Sequence, residues 1–223
     1  MNSSLTLWEG CKLSLLKAKH DFMAGVDFVN EVISDANSRF SSDDEKSKRE
    51  FLIESAFLRM FIYWESFIEK TFVCYLTKNL GDDFDVDSCP QSYAQAIDEI
   101  HANSLLIGQG SFVNWSKSDS VSKLAKAFFY EGAPYQTSLS SINSTLSHLS
   151  KIRNNTAHIS STTRSQFVAV ITKTFNGHHT HDECSVSEFL MLSYPSEPSK
   201  TILQKYQEQL LAAAHVISTC EGT

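Results

Sequence analysis

FLIESAFLRMFIYWESFIEKTFVCYL, Phe51 to Leu76, is apolar almost all the way round a helical projection. A helix of that kind has to be buried, at the centre of a bundle or between two subunits. Glu54, Arg59, Glu65 and Glu69 interrupt it and need partners wherever they are buried. Arg59 is long enough to snorkel, while Glu65 fits a buried pair that orients neighbouring helices. The cap-type run Ser41-Ser42-Asp43-Asp44 precedes Glu45, so the helix is predicted to begin near residue 43 and run to about residue 79.

Outward from this stretch the helical period continues. Trp8, Cys11, Leu15, Phe22, Val26, Val29 and Ile33 form one stripe, predicting a first helix over residues 5–38. An acidic turn from Gly81 to Pro90 follows the central helix. Its Asp82, Asp83, Asp85 and Asp87 lack the loop glycine and closing glutamate of a calcium loop. A third helix is predicted over 92–106, ended by Gly108-Gln109-Gly110, and a short one over 118–129 with Val121, Leu124, Ala125 and Phe128 inward. Gly132-Ala133-Pro134 breaks the chain before a long helix over 137–159, which buries Ile142, Leu146, Leu149, Ile152 and Ile159. Phe167, Val168, Val170, Ile171 and Phe175 suggest another helix, although Val168 to Thr172 also reads as a strand. Residues 185–192 are ambiguous, and Pro195 and Pro198 bracket a turn. A last helix over 200–219 buries Ile202, Leu203, Tyr206, Leu210, Ala213 and Ile217. The expected architecture is all-α, one domain over residues 1–223.

Composition agrees. The chain has 223 residues, 42% of them apolar, 20% charged, and only four prolines. No run approaches the roughly 18 apolar residues of a membrane span, and Met1 to Gly10 has no basic leader. Cys11, Cys74, Cys89, Cys184 and Cys220 are odd in number and scattered, as reduced thiols of a cytoplasmic protein are. The net charge of −7 argues against indiscriminate nucleic-acid binding. Its distribution is uneven: Lys117 to Lys173 carries +5, leaving −12 on the remainder.

Inside that basic stretch lies Lys151-Ile-Arg-Asn-Asn-Thr-Ala-His-Ile-Ser160. Asn154 and His158 are four apart and share a helix face, where an amide could orient an imidazole. Arg153 and His158 are five apart, about 140° around an ideal helix and about 7.5 Å along it. The pair does not converge on one atom unless the helix ends irregularly at His158 or a second copy faces the first. His148 either extends a basic surface or is an exposed helix histidine. His178, His179, His181, Asp182, Glu183 and Cys184 are the richest cluster of metal-ligating types, but zinc sites draw on two separated pairs and no second pair is present, so the segment reads as a polar loop. No G-x-S-x-G elbow supports a serine nucleophile.

Arg153-Asn154-Asn155-Thr156-Ala157-His158 resembles the R-x4–6-H signature, with a polar residue after the Arg, of the HEPN superfamily. Arg59 to Glu69 is similar to the apolar, Glu-bearing helix of its bacterial toxin and defence branches. The resemblance spans residues 45–160 and implies a HEPN-like helical bundle, here with extra C-terminal helices. It also implies a metal-independent endoribonuclease of a toxin–antitoxin or antiviral defence system, with no cofactor and no metal. In that reading Arg153, Asn154 and His158 are catalytic and Glu65 supports them. Lys151, His148, Lys123, Lys126 and Arg164 are the RNA-binding set. Two copies face one another in a homodimer, and an antitoxin or other inhibitor protein is a possible partner. The alternative is a non-catalytic helical interaction or nucleotide-binding module of such a system.

Overall fold

The computed structural model describes residues 14–81, 89–108, 112–178 and 181–219. Trp8 and Cys11 of the first stripe, residues 82–88 of the acidic turn, Gln109, Gly110 and His179 lie outside the described residues. Among the described residues there are nine α-helices and one two-stranded hairpin. Helix α1 (Leu15–Arg39) starts where the Ser14 hydroxyl accepts from the Lys17 amide at 3.2 Å. It buries Leu15, Phe22, Val26, Val29 and Ile33, the expected stripe.

Helix α2 (Lys46–Thr77) packs along α1. Every residue from Thr71 to Leu76 is buried, so its last turns are enclosed on all sides, whereas earlier along the helix Phe51 is 69% and Ile62 51% exposed. Close approach of the two helices is set at Gly25: a Cβ there would fall 2.5 Å from Tyr63 Cγ. Beside that contact Trp64 meets Phe22 edge-on, centroids 5.6 Å apart, and Phe67 at 5.8 Å. A second aromatic layer joins α2 to the C-terminal half. Tyr135 stacks on Phe72 at 4.0 Å and donates to Thr71 Oγ1 at 3.0 Å, while Tyr75 donates to the Ile217 carbonyl at 2.5 Å.

Two helices are shorter than expected. Helix α3 (Glu99–Ile107) begins only where Asp98 accepts from the His101 amide at 2.7 Å. The residues before it pair with the chain near Phe129 instead: the Tyr93 amide donates to Phe128 O and the Tyr130 amide to Gln91 O, both at 2.8 Å. Helix α4 (Ser118–Phe128) follows. The helix expected over 137–159 is two, α5 (Tyr135–Ser141) and α6 (Asn143–Ala157), broken at Ile142 with φ −112° and ψ 16°. Serine hydroxyls compete with the helix ladder here: Ser138 donates to Pro134 O at 2.8 Å and Ser141 to Ser138 O at 2.7 Å. Ile159 lies past the end of α6 and is 91% exposed, not buried as the spacing predicts.

The ambiguous segments resolve toward helix. Helix α7 (Ser161–Thr174) contains Val168 to Thr172 and buries Phe167, Val170 and Ile171 at helical spacing. Helix α8 (Val186–Met191) starts at a Ser185/Glu188 capping box. Pro195 and Pro198 fall within the hairpin of β1 (Ser193–Tyr194) and β2 (Glu197–Thr201), and α9 (Ile202–Thr219) buries the predicted face. The helices share one connected apolar core. None of them is long and apolar enough to cross a membrane. Cys74, Cys89 and Cys184 are unbridged, and burial pushes the Cys74 thiol up to about 12.

Candidate nucleic-acid interface

The basic motif occupies the end of α6. The amide of His158 donates to Asn154 O at 2.9 Å, closing the last turn, and His158 itself adopts extended backbone (φ −143°, ψ 96°). The ideal-helix angle between Arg153 and His158 therefore does not apply: the helix ends irregularly at His158. The half-buried Arg153 donates from Nη1 to Asn154 Oδ1 at 3.3 Å. Asn154 is thus bonded to Arg153, and the exposed imidazole of His158 makes no hydrogen bond to the described residues.

Asn154 and Lys151 wall a polar basin of about 400 Å³ that also takes in Lys117 of the turn before α4 and Gln166 of α7. A second basin of about 310 Å³ carries Lys123 and Lys126 of α4 with Gln136 of α5. Both share Ser118, Asp119 and Asn143, so they adjoin along one groove, and the Ser118 hydroxyl donates to Asn143 Oδ1 at 2.9 Å where they meet. Four lysines face one carboxylate, Asp119, along its walls. Three of the expected RNA-binding residues, Lys151, Lys123 and Lys126, are thereby brought together although they lie on two helices.

The other expected residues sit elsewhere. Arg164 spends its guanidinium on the far loop, donating to Cys184 O at 2.9 Å and Asp182 O at 2.5 Å, with its plane near the Phe167 ring. That contact, and His181 packed 4.5 Å from Phe175, fold the segment after α7 back onto it. Glu65 is half-buried on α2 and makes no ion pair or hydrogen bond among the described residues. His148 is half-buried against α9, its Nδ1 3.1 Å from Tyr206 Oη. Burial, and then the nearby Lys173 and Lys151 ammonium groups, push its pKa down to about 4.

His148 gives the fold a pH dependence. The folded chain keeps the ring neutral down to about 4, while the unfolded chain protonates it near the ordinary 6.5. Between those values the unfolded state binds more protons, so stability falls as pH drops through that window. Urea midpoints measured above and below it are expected to differ in that direction. His148→Gln should flatten the difference, and an unchanged slope would remove His148 as its source.

Two further features shape the site. Ser160-x-x-Thr163 is a capping-box pattern, and it caps α7. Thr163 Oγ1 also donates to the His158 carbonyl at 2.6 Å, holding the backbone of the motif histidine between two helices. Thr163→Val is expected to lower stability by about 0.5–2 kcal/mol, with Thr163→Ser near wild type, as thermal melting would register. Asn155 is the second. It is 7% exposed, and its Oδ1 has no partner among the described residues. Lys117 and Gln166, by contrast, had no local signal for sharing a basin, because only the tertiary fold brings the start of α4 and the α6–α7 pair together.

Comparisons with protein-family models, with curated proteins and with solved structures find no match to this chain.

Proposed function

We propose that the chain is a metal-independent endoribonuclease acting through Arg153, Asn154 and His158. The observation that carries this reading is the position of Asn154, bonded to Arg153, at the wall of a four-lysine groove, with His158 released from the helix one turn later. RNA supplies its own nucleophile. The ribose 2′-oxygen attacks the adjacent phosphorus, the bond to the 5′-oxygen breaks, and the strand is cut with a 2′,3′-cyclic phosphate on one side. His158 moves a proton, from the attacking hydroxyl or to the leaving oxygen, since one imidazole nitrogen accepts a proton and the other carries one. Arg153 offers planar donors to the extra negative charge on the phosphorane oxygens, and Asn154 holds that guanidinium in place.

The dimer of the resemblance belongs to this reading. The exposed Ile159 and the exposed imidazole beside it are the surface a second copy would meet. A toxin or defence role, with an inhibitor protein holding the enzyme in check, is the setting the resemblance implies.

Asp119 is the one carboxylate on the groove walls among the described residues, short of the clustered carboxylates that hold two catalytic cations. Cleavage of a mixed RNA pool is accordingly expected to persist in excess EDTA and to leave 2′,3′-cyclic phosphate and 5′-hydroxyl ends. Products with 3′-hydroxyl and 5′-phosphate ends, lost on chelation, would replace this mechanism with metal-activated water. An intact pool would leave the non-catalytic module.

A further inference from the structure

Resting on the ribonuclease reading, we infer that the groove takes a base-paired stretch of RNA, gripped by its sugar–phosphate edge, and not an unstructured single strand. The walls carry the argument. Among the described residues none that lines either basin is aromatic, and Leu146 is the one apolar side chain. Proteins that hold single strands combine a basic track with aromatic rings on which successive bases stack. A single strand laid here would find the cations and none of the rings. A duplex keeps its bases stacked on one another and presents phosphates and 2′-hydroxyls outward, which is how A-form RNA is recognised.

The wall chemistry fits those two groups. Lys117, Lys123, Lys126 and Lys151 offer point charges to phosphates from both ends of the groove. Between them stand serine hydroxyls and the amides of Asn143, Asn154 and Gln166, each able to donate to and accept from a ribose 2′-hydroxyl. Asp119 opposes phosphate binding from the middle of the groove. The cleavable phosphate then lies where the duplex ends beside Arg153 and His158, since a paired nucleotide is not free to place its 2′-oxygen in line with the leaving oxygen.

Fluorescence anisotropy with the His158→Ala chain tests this, using a labelled RNA hairpin, an unstructured RNA strand of equal length, and the DNA duplex of the hairpin's sequence. The hairpin is expected to bind about tenfold or more tighter than either competitor, an amount that one well-placed set of contacts supplies. Lys123→Ala with Lys126→Ala should weaken binding of the hairpin and lower the salt slope by about one for each lysine removed. Asp119→Asn should tighten hairpin binding. Equal or tighter binding of the unstructured strand overturns the inference, as does hairpin binding that is unchanged by loss of both lysines. Wild-type cleavage, run in parallel, separates the two readings. Preferential cutting of the unstructured strand would leave the ribonuclease standing without the duplex groove. Hairpin binding with no RNA cut would leave the groove without the ribonuclease, and no binding to any RNA would overturn both.

Discussion

His158→Ala is expected to slow RNA cleavage by about 10²–10⁴-fold, the usual contribution of one positioned acid–base group, while the fold stays intact. The ring is exposed and makes no hydrogen bond to the described residues, so its removal opens no cavity and leaves no polar atom unpaired. The structural role of this position belongs to its backbone, which accepts from Thr163 and donates to Asn154, and alanine keeps both. Surface changes of this kind shift stability by roughly 0.5 kcal/mol or less. Arg153→Ala should lose activity comparably. Arg153→Lys should restore little of it, because a point charge cannot reproduce the planar fork that reaches Asn154 and a phosphate together. Circular dichroism and melting curves report the fold, and a labelled RNA reports the rate. Near wild-type cleavage by both alanine variants would take the motif out of the chemistry.

The largest expected loss of stability is at Trp64. Its indole is 1% exposed and wedged between Phe22 of α1 and Phe67 of α2. Trp64→Ala removes the ring that fills this hairpin, and Gly25 against Tyr63 already holds the two helices so close that they cannot slide together to refill it. Such truncations cost about 3–5 kcal/mol, or roughly 6–20 °C in melting temperature for a chain of this size. Trp64→Phe, which keeps most of the packing, should lose far less. A urea-derived unfolding free energy for Trp64→Ala within about 1 kcal/mol of wild type, on the order of the mean single substitution, would mean that α1 and α2 are not docked as described.

Much of the helical architecture was legible because its causes are local. Phe22, Val26, Val29 and Ile33 recur at the helical period whatever they pack on, and the run Thr71 to Leu76 can only be enclosed. The apolar face of α9 and the turn at Pro195 and Pro198 follow from the same rules. The break at Ile142 was not legible, because its cause is serine hydroxyls choosing carbonyls over solvent, a choice that periodicity does not record. The segment before Glu99 likewise left helical geometry for backbone partners near Phe129, far along the chain.

For the candidate site, the sequence by itself determined the concentration of basic residues between Lys117 and Lys173 and the Arg153-Asn154-…-His158 run at a helix end. Only the tertiary structure decided what those charges do. Lys151 and Lys117 came to line one basin because the start of α4 is tied to the start of α6 through Ser118 and Asn143. Arg164, equally basic in the sequence, was consumed by two loop carbonyls, and His148 was drawn against Tyr206 and kept neutral. A side chain's type fixes which bonds it can make. Which partners stand within reach is a matter of distances between segments that are remote in the chain, and those distances exist only once the core has formed.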